Sequence, residues 1–249
     1  MEPLSREQIP NDPAKAREVF RHGQWTQRSS GICVGFTNAN LCIVPKDLAY
    51  DFLLFCQRNP KPCPVLEVLD VGDPIVRQLA SGADVRTDLP RYRVFVDGEP
   101  VDEPTDITEY WRDDLVAFLF GCSSTFEGAL EAAGIPPRWR EQPGRGSGLF
   151  ESNIATVPAG RLHGPMVVSM RPIPTHLVPR AVQVTSRFPN HHGAPIHIGD
   201  PSAIGIDDVA KGDWEVSPGV EAGEVPVFWA CGVTPQTVAQ ASKPALMIT

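Results

Sequence analysis

The sequence predicts an α/β protein in which a parallel or mixed sheet is flanked by helices. Short apolar runs alternate with amphipathic stretches along the 249 residues, an order typical of this class. The chain also contains 26 Pro and 21 Gly, so many short elements joined by tight turns are expected. We expect a single globular unit over residues 1–249, and two interleaved α/β subdomains are the alternative arrangement. The polar, Gly-rich residues 141–148 are the candidate subdomain joint or active-site loop.

Three helices are predicted from signals at their ends. Asp12 precedes Pro13, and Gly23 follows that proline by ten residues. These signals predict a helix over 12–22. A second, amphipathic helix opens after Pro45 and ends at Asn59. A third is expected over 178–187.

Strands are predicted from short apolar runs bounded by turn residues. The run 111–120 fits either a helix or a buried strand, and the Asp97-Gly98 pair marks a turn after one of the strands. The predicted strands are 41–44, 64–69, 91–96, 166–170 and 225–230.

The overall composition limits the kinds of partner. The formal net charge is -8 with a pI of about 5.2, and the basic residues form no cluster that would attract nucleic acid. No stretch approaches the roughly 20 apolar residues of a membrane helix, and the N-terminus does not resemble a secretory signal. The six cysteines are scattered and lack Cys-x-x-Cys spacing, so we expect reduced thiols in the cytoplasm.

Two segments, 117–124 and 227–234, share a pattern. Each has an apolar run, a turn containing Gly and Cys, a hydroxyl residue and then a helical stretch. Two half-sites related by a pseudo-twofold axis would explain this pattern, and so would chance.

The second of these turns is a candidate substrate-binding element. It contains Cys231, Gly232, Val233 and Thr234, with Thr234 predicted to cap the following helix. Backbone N–H groups at such a helix start favour an anion, although an ordinary strand–turn–helix connection has the same pattern. Cys231 is either a thiolate stabilised by the helix or a packed side chain.

Glu127 follows the first turn and has two interpretations. In the run 124–127 it fits a capping box, in which its carboxylate accepts from the Ser124 amide. Its alternative role is that of a general acid.

The densest polar run is residues 190–201, which Gly and Pro keep out of a regular helix. Histidine titrates near neutral pH, so His192 and His197 are candidate proton-transfer groups, with Asp200 orienting one ring. A metal site and a purely structural loop are the alternatives.

Three arginines are candidate carboxylate-binding residues, because a guanidinium group pairs with a carboxylate through two hydrogen bonds. They are Arg86, Arg91 and Arg171. Structural ion pairs with nearby aspartates would occupy the same side chains.

Seven runs spread over nearly the whole chain together resemble the D-glutamate cyclase family, whose bacterial members are usually labelled hydro-lyases. They are GFTNANL (35–41), RTDLPRYR (86–93), EPTDI (103–107), WRDD (111–114), SMRPIP (169–174), HGAPIHIGDP (192–201) and FWACGVTPQ (228–236). In one departure, the family's chains continue past the position of Thr249 into another His/Pro/Gly segment.

The resemblance implies a lyase that converts D-glutamate to 5-oxo-D-proline and water. In that reaction His192 or His197 would accept the amine proton, and the 232–234 amides or an arginine would neutralise the carboxylate. No cofactor is expected. The alternatives are a metal-assisted dehydratase using a divalent ion, a ring-opening hydrolase on the same scaffold, and a non-catalytic binder of small carboxylic acids. A homodimer is also expected.

Overall fold

The computed structural model describes residues 4–138, 146–214 and 216–249. Within these residues the chain forms two β-sheets and five α-helices. Most of the predicted joint at 141–148 lies outside the described residues.

The first sheet has six strands in the order β2-β5-β1-β10-β3-β4. Its central strand β5 is buried along its whole length, and a two-residue turn at Asp97 and Gly98, both with positive φ, joins β3 to β4. The strands are β1 (Ala39–Pro45), β2 (Val65–Val68), β3 (Val94–Val96), β4 (Glu99–Asp102), β5 (Leu115–Gly121) and β10 (Met247–Ile248).

The second sheet has four strands in the order β6-β7-β9-β8. Strands β7 and β9 form its centre and pair over seven residues, from Val168↔Ala230 to Pro174↔Glu224. The strands are β6 (Leu149–Ala155), β7 (Pro165–Pro174), β8 (His197–Ile198) and β9 (Glu224–Ala230).

Five helices cover the sheets. Helix α2 packs Phe52 and Phe55 against Phe118 and Phe120 of the first sheet, and α3 and α4 cover Trp229 of the second. Helix α5 contacts both parts, because Val238 packs in the α2 core while Thr237 donates to the Pro165 carbonyl. The helices are α1 (Pro13–Arg21), α2 (Lys46–Arg58), α3 (Ser124–Ala132), α4 (Val178–Thr185) and α5 (Thr234–Ser242).

The helix predictions are confirmed to within a few residues. Asp12 caps α1 by accepting from the Ala14 and Lys15 amides, as the Asp-Pro signal indicated. The ambiguous run 111–120 is a strand from Leu115 onward. None of the helices in the described ranges is long and apolar enough to cross a membrane.

The α/β class is confirmed, but the parallel or mixed sheet is not. Every pairing between the named strands of the described residues is antiparallel. The fully apolar β5 resembled a strand of a parallel sheet, which helices cover on both faces. In the structure α2 covers one face, while a long loop that brings in Val76, Val85 and Tyr92 covers the other. The interleaved subdomains are likewise not confirmed.

Candidate active site

The two turns that share a sequence pattern meet in the structure. Strand β5 ends at Gly121 in the first sheet, and β9 ends at Ala230 in the second. Asn40 pairs in register with Phe120, and a Cβ atom on Gly232 would lie only 1.9 Å from the Asn40 Nδ2 atom. Glycine at 232 therefore allows the second turn to approach the strand beside the first.

Arg171 on β7 contacts the first turn and the end of β9. Its Nη2 donates to Glu127 Oε1 at 2.7 Å and to Ser123 Oγ at 3.1 Å, and its Nη1 donates to Ser169 Oγ at 3.2 Å. The guanidinium carbon lies 5.3 Å and 5.4 Å from the ring centroids of Phe126 and Trp229. Arg171 is 7% exposed and Glu127 is 5% exposed.

The Arg171 Nε–H is buried and has no hydrogen-bond partner among the described residues. A buried donor without a partner costs about 1–3 kcal/mol, so this atom is a natural point for a ligand oxygen. A small cleft borders the Arg171–Glu127 pair, with Leu130, Ile135 and Pro218 in its wall.

The alternation of β7 and β9 determines which side chains surround Arg171. Ser169 pairs in register with Trp229 and Arg171 with Val227, so these four side chains share one face of the second sheet. Met170 lies on the opposite face.

Arg28 brings a second cation to the site from the segment after α1. Trp25 Nε1 donates to the Arg28 carbonyl at 3.1 Å, Arg6 donates to the Ser30 carbonyl, and Ser30 Oγ lies 3.3 Å from Ser124 Oγ. The Arg28 side chain is exposed, yet desolvation by nearby protein lowers its pKa, while Cys231, Cys122 and Glu127 act in the opposite direction.

Each turn contributes one thiol. Cys122 is half-buried and its Sγ lies 3.6 Å from Ser124 Oγ. Burial, with a smaller contribution from Cys122, raises the pKa of Cys231 to about 11, although the Val233 amide, Arg28 and Arg171 act to lower it. Cys231 is therefore a thiol near neutral pH and packs beside Val167.

The predicted cap at Thr234 is wrong by one residue. Val233 is the N-cap of α5 and Thr234 is its first residue. The Thr234 hydroxyl donates to the Cys231 carbonyl at 2.8 Å and accepts from the Val167 amide at 3.1 Å. It therefore fixes the Cys231–Gly232 turn to β7.

The predicted capping box of α3 is also wrong. The helix is capped at Ser123 rather than Ser124, without a side-chain cap hydrogen bond. Glu127 instead reaches the Arg171 guanidinium, a long-range partner that local sequence does not reveal.

His192 and His191 lie near this cluster. His192 is buried at a φ of 74°, and its Nδ1 lies 2.7 Å from the Lys61 carbonyl oxygen, which fixes Nδ1 as the protonated nitrogen. Burial lowers the His192 pKa to about 4, and Arg171 is among the charges that lower it further. The His191 Nε2 is buried without a partner, and its ring lies against Gly121.

His197 and Asp200 lie on the other face of the second sheet. His197 pairs in register with Phe228 and its ring lies 5.8 Å from that of Phe228. Its Nε2 is 2.6 Å from the Asp200 backbone oxygen, while the Asp200 carboxylate accepts from Ser202. The structure does not bring these two residues to Arg171, and their catalytic role stays a prediction.

Arg86 and Arg91 also lie elsewhere, in the loop that covers the first sheet. Arg86 forms an ion pair with Asp84 at 2.7 Å, and Arg91 lies 3.6 Å from Glu103. These contacts match the structural alternative considered for them, while a role in substrate binding stays a prediction. In the described ranges, no three His, Cys, Asp or Glu side chains are grouped to hold a metal ion.

Sequence reasoning missed Arg28, Asn40, Cys122 and Ser123 as site residues. The repeated turn pattern was the signal for Cys122 and Ser123. Arg28 and Asn40 have no comparable signal, because only long-range contacts bring them to the turns.

The fold and the site together define an α/β protein with a buried arginine–carboxylate pair, a second arginine and two thiols where two strand–helix turns meet. Comparison with known proteins gives the family. The model described as D-glutamate cyclase matches residues 116–249, and this chain belongs to that family. The matched range includes Cys122, Glu127, Arg171, His192 and Cys231.

Related sequences align with this chain over almost its full length. A protein of Thermoanaerobacter sp. strain X514 is 59% identical over 95% of this chain and 89% of its own. One of Bacillus licheniformis is 56% identical over 95% and 90%, and one of Streptomyces avermitilis is 55% identical over 95% and 85%. All three carry the name "Putative hydro-lyase". The family recognised in the sequence is confirmed, and these names agree with the expected lyase class.

Proposed function

We propose that the chain converts D-glutamate to 5-oxo-D-proline and water at the site around Arg171. The observation that carries this proposal is the buried Arg171 guanidinium, which binds Ser123 and Glu127 and keeps one N–H group without a partner among the described residues. The family description supplies the substrate, and the site chemistry suits a small dicarboxylic amino acid.

The two arginines divide the two carboxylates of the substrate between them. Arg28, whose side chain is exposed and whose charge acts on Cys231 and Cys122, receives the α-carboxylate. The Arg171 Nε–H donates to the γ-carboxyl oxygen, whose negative charge opposes nucleophilic attack. Glu127 lies beside Arg171 and attracts the substrate ammonium group.

The reaction joins two ends of one molecule. The ammonium group loses a proton and the resulting amine attacks the γ-carboxyl carbon, which gives a tetrahedral centre. The nitrogen then loses a second proton, and one carboxyl oxygen takes up two protons and leaves as water. Holding the amine and the carboxyl group in contact supplies a large part of the rate, since positioning alone contributes up to about 7–11 kcal/mol in well-oriented intramolecular reactions.

The test is to incubate purified, metal-defined protein with D-glutamate and with L-glutamate, and to measure 5-oxoproline by mass spectrometry. The proposal expects product from the D enantiomer. Parallel reactions from 5-oxo-D-proline, and with Mg²⁺, Mn²⁺ or EDTA, test the hydrolase and the metal-assisted alternatives. Stoichiometric binding of D-glutamate without product would contradict the proposal and favour a binding protein.

A further inference from the structure

We propose that Cys122 and Cys231 form a thiol pair that carries the proton from the attacking amine to the departing oxygen. This inference rests on the proposed function and names acid–base groups for it.

The first argument is the position of the two thiols. Each follows a central strand and precedes a helix, α3 in one case and α5 in the other. Asn40 links the two turns, since it is paired beside Gly121 in the first sheet and lies against Gly232. The thiols therefore come from equivalent turns of two sheets that meet at one place.

The second argument is the set of cations around the thiols. Arg171 contacts Ser123, next to Cys122, and its charge acts on Cys231. Ser124 connects the Cys122 thiol to Ser30, close to Arg28. The two carboxylate-binding groups of the proposed substrate site thus lie near the cysteines, and the unpartnered Arg171 Nε–H marks a place for a ligand oxygen at this guanidinium.

The third argument is that the other titratable groups of the site fit this task poorly. The Glu127 carboxylate is engaged by Arg171. Burial lowers the His192 pKa to about 4, so its imidazole is a weak base toward an ammonium group. His197 lies on the opposite face of the sheet. The ordinary pKa of a thiol lies closer to that of an amine than does the pKa of a carboxylate or an imidazole.

Cys122 also limits the ionisation of Cys231. The presence of Cys122 raises the pKa of Cys231, because two thiolates in one site repel each other. In the relay Cys231, which is a thiol near neutral pH, is the proton donor and Cys122 is the proton acceptor. Cys122 accepts a proton from the nitrogen as the C–N bond forms, and Cys231 donates one to the leaving oxygen as the C–O bond breaks. The proton that the ammonium group loses before attack is the second one the oxygen needs, so it leaves as water and the pair ends with the same number of protons.

A protection experiment tests whether the thiols line the substrate site, and it does not require turnover. The full-length protein is treated with iodoacetamide with and without D-glutamate, and the alkylation rate of each cysteine is followed by peptide mass spectrometry. Cys33 is the matched control, because it is half-buried like Cys122 but lies against Pro10. We expect D-glutamate to slow alkylation of Cys122 at least 10-fold and to leave Cys33 unchanged. Equal rates at Cys122 with and without D-glutamate would overturn the inference.

Kinetics of serine and alanine variants test the proton transfer. Cys122→Ser and Cys231→Ala should each lower kcat at least 100-fold with KM within about 3-fold, and the double variant should be little worse than either. Both should also remove the pH dependence that thiol ionisation gives to kcat, which a packing defect would not do. Cys33→Ser is the control, and thermal unfolding verifies folding.

Full kcat in either folded variant would overturn the relay. Absence of product with the wild-type protein would instead contradict the proposed function, and the protection experiment would still decide whether the thiols line the site.

Discussion

The two faces of the second sheet differ sharply in what they bury. One face carries Ser169, Arg171 and Trp229, with Glu127 packed over them. The other carries Met170 and Phe228 in an apolar cluster, with His197 at the edge. One face of this sheet therefore holds a buried ion pair, and the other packs an apolar cluster.

This difference shows why the density of polar residues is a poor guide to the site. The run 190–201 contains three histidines, yet its members separate, with His192 near Arg171 and His197 on the far face. Strand alternation decides the face of each side chain, and a shift of one residue reverses it.

Among the changes that test this difference between the two faces, removal of the Arg171 guanidinium should have the largest effect on stability and activity. Arg171→Met leaves the buried Glu127 carboxylate without its guanidinium partner, which costs about 3–5 kcal/mol of unfolding free energy. Production of 5-oxoproline should fall below detection. Chemical denaturation and the product assay measure the two effects.

The double variant Arg171→Met with Glu127→Leu separates stability from activity. It should recover most of the unfolding free energy, because no buried charge remains, while the activity stays absent. Recovery of activity in the double variant would show that the Arg171–Glu127 pair is not part of the active site.

His192 should make stability depend on pH. Its folded pKa is about 4 against an ordinary value of 6.5, so only the unfolded chain takes up the proton between these values. Stability is therefore fully present above about pH 6.5 and falls by about 3 kcal/mol as pH drops to 4. His192→Asn should flatten this slope in denaturation curves between pH 4 and 7, since Asn tolerates the left-handed backbone there. The exposed His176→Asn is the control, and an unchanged slope in His192→Asn would contradict the assignment.

The effect expected at Arg28 is smaller and confined to binding. Arg28→Ala should weaken D-glutamate binding by about 10- to 100-fold, the range for a hydrogen-bonded charge, with little change in unfolding free energy. Arg112→Ala is the matched control, because Arg112 is an exposed arginine paired with Asp114. Calorimetric titration of both variants measures the difference, and equal affinities would exclude Arg28 from the site.

Local signals predicted much of the fold. The Asp12 cap, the helix after Pro45 and the apolar β9 strand all depend on residues close in sequence. The antiparallel pairing could not be predicted in the same way, because a long loop rather than a helix covers the second face of β5.

The site was only partly predictable for a related reason. Arg171 was named from its chemistry, but its partner Glu127 lies 44 residues away and seemed to belong to a helix cap. Arg28 lies in a segment without a motif, and only its contacts through Ser30 and Ser124 place it beside Cys122. Partners distant in sequence decide these assignments.

The most direct test of the account is hydrogen–deuterium exchange with and without D-glutamate, because it locates the bound ligand independently of turnover. The account predicts slower exchange in the segments 28–30, 121–127 and 229–236, which meet around Arg171, and unchanged exchange in 196–204. Protection confined to 196–204 would place the ligand beside His197 and contradict the account.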